Sequence, residues 1–307
     1  MTVVVVGEAL IDLVEAPDGS YTAHPGGSPA NTAVALARLG TAAAFAGRLS
    51  GDGFGRRLRS HLEANGVDLG LCVAAAEPTT LAVVALDGGG GPRYTFYVEG
   101  TTTATWSASE LPAVLPERVN AIHTGSVALA LPSGGEVIGD LLRRERGRRA
   151  ISLDPNVRHP FAGERDRYRG RLEGWLGCAG LVKVSQEDLE WIYPGEAPAE
   201  IGRRWRALGP ALVVVTLGPG GCMAFVRDEE ITCAARPVTP VDTIGAGDSF
   251  AAGLLDWLDR HERLGVAGPA ALTASEALAA LDFASRVASI TVSRAGADPP
   301  FRWELRD

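Results

Sequence analysis

The residues best suited to chemistry lie in one stretch, Asp242-Thr243-Ile244-Gly245-Ala246-Gly247-Asp248-Ser249-Phe250. Gly245, Ala246 and Gly247 have almost no side chain, so a ligand can come up against their backbone N–H groups. Phe250, Leu254 and Leu258 recur at i, i+4 and i+8, the spacing of one helix face. The helix they predict starts at the glycines, and a helix N-terminus favours anions such as a phosphate. Asp248, in the first turn, would stand beside that anion, placed to take a proton from an attacking hydroxyl. The same residues also read as a Gly-rich strand-to-helix turn capped by Asp248.

Three more polar residues follow predicted strand ends or open helices. Asp12 comes after the apolar run 3–6, near where open α/β sheets bind ligands, although a surface turn acid would look the same. Asn31 lies in the first turn of a helix opened by Gly26-Gly27, with Ser28 read as N-cap and Pro29 at N1. Its amide can donate and accept, as a polyol requires, or can serve as a second cap. Arg158 closes Asp154-Pro155-Asn156-Val157-Arg158 and is either a bidentate clamp for an oxyanion or one half of a loop salt bridge.

These residues need a scaffold, and the periodicity describes one. Short apolar runs at 3–6, 42–46, 121–124, 150–153, 181–184 and 211–216 read as strands. Helical patterns fall at 54–62, 136–146, 165–176, 199–208 and 273–293, and an extended run at 237–241 leads into the glycines. Strand and helix alternate from residue 120 on, the rhythm of a parallel sheet covered on both faces. Two β-rich runs, 80–86 and 93–98, flank Gly88-Gly89-Gly90-Gly91-Pro92, a hairpin signal. With residues 72–75 and part of 13–24 they are expected to form a separate small sheet. Phe96 and Tyr97 on that sheet either cover a ligand or pack across strands.

Composition narrows the function. The chain has 307 residues, is 46% hydrophobic and carries a net charge of −8, which argues against nucleic-acid or anionic-membrane binding. It shows no basic signal-peptide start and no apolar run near a membrane span. Its four cysteines lack CxxC spacing, as in reduced, cytoplasmic proteins. Lys183 is the only lysine and sits in Leu-Val-Lys-Val-Ser, which excludes a P-loop and a protein-kinase lysine motif. Thr216-Leu217-Gly218-Pro219-Gly220-Gly221 does not complete a dinucleotide fingerprint, because Met223 stands at its sixth position. Phosphate handling would therefore fall to backbone N–H groups, arginine and metal. His123 and His159 have no clustered ligands and read as structural.

The stretch D-T-x-G-A-G-D-x-F resembles the C-terminal signature of the ribokinase-like (PfkB-type) sugar kinases. Gly26-Gly27-Ser28-Pro29-Ala30-Asn31 resembles their N-terminal signature, and the two lie in the family's order. The likeness runs over nearly the whole chain. It implies a single domain over residues 1–307: a three-layer α/β/α fold with a mostly parallel central sheet and a small β lid built from about 13–24 and 71–100. Asp248 would then be the base, with Gly245, Ala246 and Gly247 as the anion hole. Asp12, Gly27 and Asn31 would bind the sugar, with Phe96 and Arg158 beside it.

The resemblance also implies ATP, bound near Ser185, Thr216, Gly218, Gly221 and Ser285. The family's N-x-x-E pattern, tied to magnesium, reads Ser185-Gln186-Glu187-Asp188 here, which leaves Glu187 and Asp188 as alternatives, Asp188 preferred. A potassium site maps to Asp242, Ile244, Thr291, Arg294 and Gly296, although Pro300 replaces a serine ligand found in ribokinase. The expected partners are a small sugar, ATP and a second copy joined through the lid. Gly7-Glu8-Ala9-Leu10-Ile11-Asp12 and Asp154 to Arg158 most resemble bacterial fructokinases. The rival substrates are those of 2-keto-3-deoxygluconate kinase, ribokinase and nucleoside kinases; a non-catalytic sugar sensor is the rival from another class. Glu99, close after the lid aromatics, favours a neutral sugar over a sugar acid if it points inward.

Overall fold

The computed structural model describes residues 1–16, 18–86 and 92–305. Among these, the eight-stranded central sheet runs, from one edge, Glu229–Cys233, Cys222–Val226, Leu212–Thr216, Leu181–Ser185, Ala150–Asp154, Val119–Gly125, Thr2–Val6 and Ala42–Ala46. The first two strands pair antiparallel and the other six parallel. All the predicted strands of the alternating half are present, each within two residues of its expected ends.

The parallel strands are mostly apolar because both faces are covered. Val3 and Val5 enter one core, and Val4 and Val6 the other. Val214 likewise parts from Val213 and Val215. The two-residue period of a strand thus divides a single run between two cores. Helices Ser28–Leu39, Gly53–Ala64, Ala246–Arg260 and Ala274–Val292 supply the first core. Helices Pro132–Glu145, Arg165–Leu176, Gln186–Ile192 and Pro198–Ala207 supply the second.

A four-stranded sheet stands apart, in the order Tyr21–Gly26, Leu10–Glu15, Leu81–Leu86 and Pro92–Tyr97. The Gly88 to Gly91 hairpin turn lies outside the described residues. Residues 73–75, expected in this sheet, pair instead with Arg48–Ser50 as a separate two-stranded ladder. The expected extended run at 237–241 forms no strand: Pro237 and Pro240 interrupt it with residues that lack an N–H to donate, and Val241 and Asp242 are held by Val292 O. No helix among the described residues is long and apolar enough to cross a membrane.

Candidate active site

A cleft of about 510 Å³ opens at the carboxyl ends of the parallel strands, between them and the small sheet. Glu8, Asp12, Asn31, Phe96, Arg158 and Asp248 all line it. They come from segments up to 240 residues apart: Glu8, Asn31, Arg158 and Asp248 follow strand ends or open helices on one side of the central sheet, and Asp12 and Phe96 face them from the small sheet.

Helix Ala246–Arg260 positions Asp248. Its N-cap is Gly245, with φ of 74°, a conformation in which a side chain is strained. A Cβ there would also lie 2.6 Å from Ala297 Cβ. Ala246 N–H turns back to Thr243 O at 3.2 Å. The next N–H groups, of Gly247 and Asp248, belong to the first turn, which has no intrahelical acceptor. Of the expected anion hole, Ala246 is thus the member whose donor is already engaged.

Asp248 is buried, and both its carboxylate oxygens are held. Ser28 Oγ donates to Oδ1 at 2.6 Å and Asn31 Nδ2 donates to Oδ2 at 2.9 Å. Ser28 and Asn31 are three residues apart on one helix face, which lets both reach one carboxylate. Ser28 is therefore not the N-cap. Gly27 is, at φ of 101°, where a Cβ would meet Glu8 O at 2.8 Å. Burial raises the pKa of Asp248; the Ser28 and Asn31 hydrogen bonds oppose that shift, Asp154 adds to it and Lys183 counters it.

Asp12, on strand Leu10–Glu15, faces the same space. Burial pushes its carboxyl up to about 6, Arg158 pulls it back, and the charge of Asp248 adds to the rise. Glu8 is also buried and raised by that burial, although N–H groups of Ala128 at 2.9 Å and Val127 at 3.4 Å stabilise its charged form. Arg158 Nη1 donates to Asn156 Oδ1 at 2.8 Å. Phe96 meets Phe161 edge-on, 5.2 Å between centroids. Tyr97, the next residue on the strand, points the other way and is 59% exposed, so it does not cover the cleft. Glu99 is exposed and does not line the cleft, so it exerts no inward repulsion.

His123 is buried with Nδ1 2.9 Å from Ser152 Oγ, and burial lowers its pKa to about 4. That agrees with its structural reading. His159, read the same way, lines the cleft while stacking on Trp191 at 5.1 Å.

Beneath the glycines lies a buried charged group that the motifs did not single out. Lys183 Nζ binds Asp154 Oδ2 at 3.0 Å. Asp188 is buried nearby, with Oδ1 accepting from Val157 N–H at 2.8 Å and its own N–H donating to Ser185 Oγ at 3.0 Å. Burial and the charge of Asp154 raise its pKa, against Lys183. Glu187 is exposed, so Asp188 is the carboxylate of this pair that faces inward.

The loop before the glycines docks on residues 292–296. Asp242 Oδ1 accepts from Ile244 N–H at 2.9 Å and Oδ2 from Gly296 N–H at 2.8 Å. Thr291 Oγ1 donates to Ser249 Oγ at 2.8 Å, and the Arg294 side chain pairs with Glu304 and Asp298. Side chains here are committed to the protein, leaving backbone oxygens as the available cation ligands. Of the residues expected to bind ATP, Thr216 Oγ1 donates to Val184 O at 3.4 Å, Gly218 lies in the exposed turn 218–220, and Ser285 contacts Cys222; none of them lines the cleft.

Sequence reasoning missed Ser28, Glu8, Phe161 and the Lys183–Asp154 pair. A lone lysine inside an apolar strand was the available signal for Lys183, because a buried charge requires a partner.

The family model described as pfkB family carbohydrate kinase matches residues 1–304. A fructokinase from Rhizobium leguminosarum bv. trifolii is 37% identical over 254 residues, covering 81% of this chain and 77% of that protein. Among solved structures, a fructokinase with bound ATP from Xylella fastidiosa superposes with a TM-score of 0.89 at 28% identity, over 96% of this chain and 93% of that one. A fructokinase double mutant from Vibrio cholerae O395, in a fructose-, ADP- and potassium-bound form, gives a TM-score of 0.84 at 27% identity, over 96% and 93%.

Proposed function

Because the chain belongs to the pfkB family of carbohydrate kinases, and is thus a phosphotransferase acting on a sugar hydroxyl, we propose that its acceptor is a small neutral sugar, fructose first. One observation carries this choice. Among the described residues, the charged side chains lining the cleft are Glu8, Asp12, Asp248 and one arginine, Arg158; the side chain of Arg93 lies outside the described residues. Three carboxylates facing one guanidinium repel a sugar acid, which needs its own carboxylate neutralised. A neutral polyol needs only hydrogen bonds, which carboxylates accept. The fructokinase relatives agree with that reading.

The mechanism is in-line phosphoryl transfer from ATP. Asp248, oriented by Ser28 and Asn31, takes the proton from a primary hydroxyl. The N–H groups of Gly247 and Asp248, with the Gly245 turn that aims them, stabilise charge on the departing γ-phosphoryl oxygens. Asp12 holds sugar hydroxyls and Phe96, backed by Phe161, covers them; the small sheet acts as a lid that excludes water. The ATP site comprises Ser185, Thr216, Gly218, Gly221 and Ser285.

Magnesium would neutralise phosphate charge, with Asp188 the inward carboxylate able to reach it through water. Potassium would sit on backbone oxygens among residues 242–244 and 291–296, a loop pair that Asp242 already bridges. Replacing potassium by a large organic cation at constant ionic strength lowers activity if that site is occupied; a flat response removes it. Exposed Tyr21 and Tyr97 make the lid a candidate dimer contact. The four free thiols suit the cytoplasm.

The test is a turnover screen with ATP across ketoses, aldoses and keto acids. We expect kcat/KM for fructose or another neutral sugar to exceed that for 2-keto-3-deoxygluconate by at least about tenfold, or about 1.4 kcal/mol. A better rate with the keto acid overturns the charge argument and makes Arg158 its clamp.

A further inference from the structure

We propose that Lys183 is a positioning residue for phosphoryl transfer: its ammonium, locked onto Asp154 behind the glycine turn, sets the charge balance that keeps Asp248 ionised beside the arriving phosphate. Lys183 is 5% exposed and does not line the cleft, so it works through its neighbours. It is the only lysine of the chain. Its Nζ lies 2.9 Å from where a Cβ on Gly247 would stand, directly under the N–H groups assigned to the anion hole. The ammonium thus adds positive charge behind those donors, and a side chain at 247 would displace it.

The arrangement is one cation among three buried acids. Asp154 binds it at 3.0 Å and leaves Oδ1 buried without a partner among the described residues. Burial alone would discharge the ammonium, but Asp154, followed by Asp188 and Asp248, holds its pKa above the ordinary lysine value. An ion pair buried this deeply is weak evidence for stability, since hydrophobic residues of the same volume often serve as well. What they cannot supply is a fixed field at Asp248. The charged or titratable groups acting on Asp248 are Asp154 and Lys183, from adjacent strands of the central sheet, Asp12 from the small sheet, and the buried imidazole of His123. Asp154 raises its pKa and Lys183 lowers it, so the two partners of the pair act in opposite directions.

That opposition supplies the test, which rests on Asp248 being the base. The pH profile of kcat is measured at saturating sugar and ATP, where Asp12 is already engaged, for Lys183→Met, Asp154→Asn and Lys183→Arg. Removing the cation should move the acid limb up by about one pH unit and lower kcat roughly ten- to a hundredfold, with both KM values little changed. Removing the anion should move the limb down, and Lys183→Arg should leave it near the wild-type position. A merely structural pair would give two variants of lower stability with limbs that do not part. Limbs that stay together, or move the same way, overturn the proposal. If Lys183→Met does not fold, a downward shift in Asp154→Asn supports it and an unmoved limb overturns it. Asp248→Asn separates the two levels: if that variant still turns over, the base assignment falls; if it does not and the limbs fail to part, only the role of Lys183 falls.

Discussion

The residues proposed to bind the sugar and those proposed to bind ATP are presented differently. On the sugar side, the polar groups are side chains, buried and already bonded to the protein: Asp248 to Ser28 and Asn31, Glu8 to the Val127 and Ala128 N–H groups. Among the residues proposed for ATP, Gly218 lies in the exposed turn 218–220, and Thr216 and Ser285 are half-buried. The sugar half is preorganised. The desolvation of its carboxylates is settled when the chain folds, and that fixed polarity is what stabilises a developing charge. If the proposed ATP residues act through shape and backbone, that side should tolerate changes of side chain. Ser185, which departs from the asparagine of the N-x-x-E pattern by resemblance, is among the residues proposed for that side.

The comparison predicts that side-chain changes cost much on the first half and little on the second. Asp248→Asn should have the largest effect, lowering kcat by roughly 10²–10⁴ while ATP affinity stays near wild type, because it removes a general base and leaves the backbone donors in place. Near-normal turnover of the purified variant would remove Asp248 from that role.

Asp12→Ala comes next. It should raise KM for the sugar about tenfold, the loss of one charge-assisted hydrogen bond, and leave KM for ATP unchanged. Wild type should show a related loss with acid. The carboxyl of Asp12 is raised to about 6. Above that pH the group is an acceptor; below it the group carries a proton and accepts less well, so kcat/KM for the sugar should fall as pH drops through about 6. An equal rise in KM for both substrates, or a flat profile between pH 5 and 7, would break the division between the halves.

The smallest effect belongs to the nucleotide side. Ser285→Ala should change KM for ATP by less than about threefold, below 1 kcal/mol, since the serine is a small side chain already in contact with Cys222. A loss comparable with that of Asp12→Ala would mean that this half, too, depends on a fixed polar side chain.

By itself the sequence determined the elements and the ends of the site. Apolar runs and helical periods set the order of the parallel strands and of most helices, because burial on both sheet faces leaves a periodic trace, but they missed the antiparallel strands Cys222–Val226 and Glu229–Cys233 and placed the start of helix Pro132–Glu145 four residues late. The Gly-rich turn and Asp248 were legible for a local reason: a close approach to backbone and a carboxylate in a first turn are properties of adjacent residues. Asp12 and Asn31 were legible in position, but the bond from Asn31 to Asp248 was not. Nor was the true work of Ser28, whose type fits an N-cap yet whose hydroxyl reaches a carboxylate 220 residues away. Which of Phe96 and Tyr97 faces the cleft stayed open until strand pairing set their faces. Lys183 and Asp154 could be read as a lone lysine and a strand-end acid, but not as a pair beneath Gly247. These are tertiary facts. Hydrogen bonds and ion pairs between distant segments depend on which strands are neighbours, and a pattern local to each strand carries no record of that.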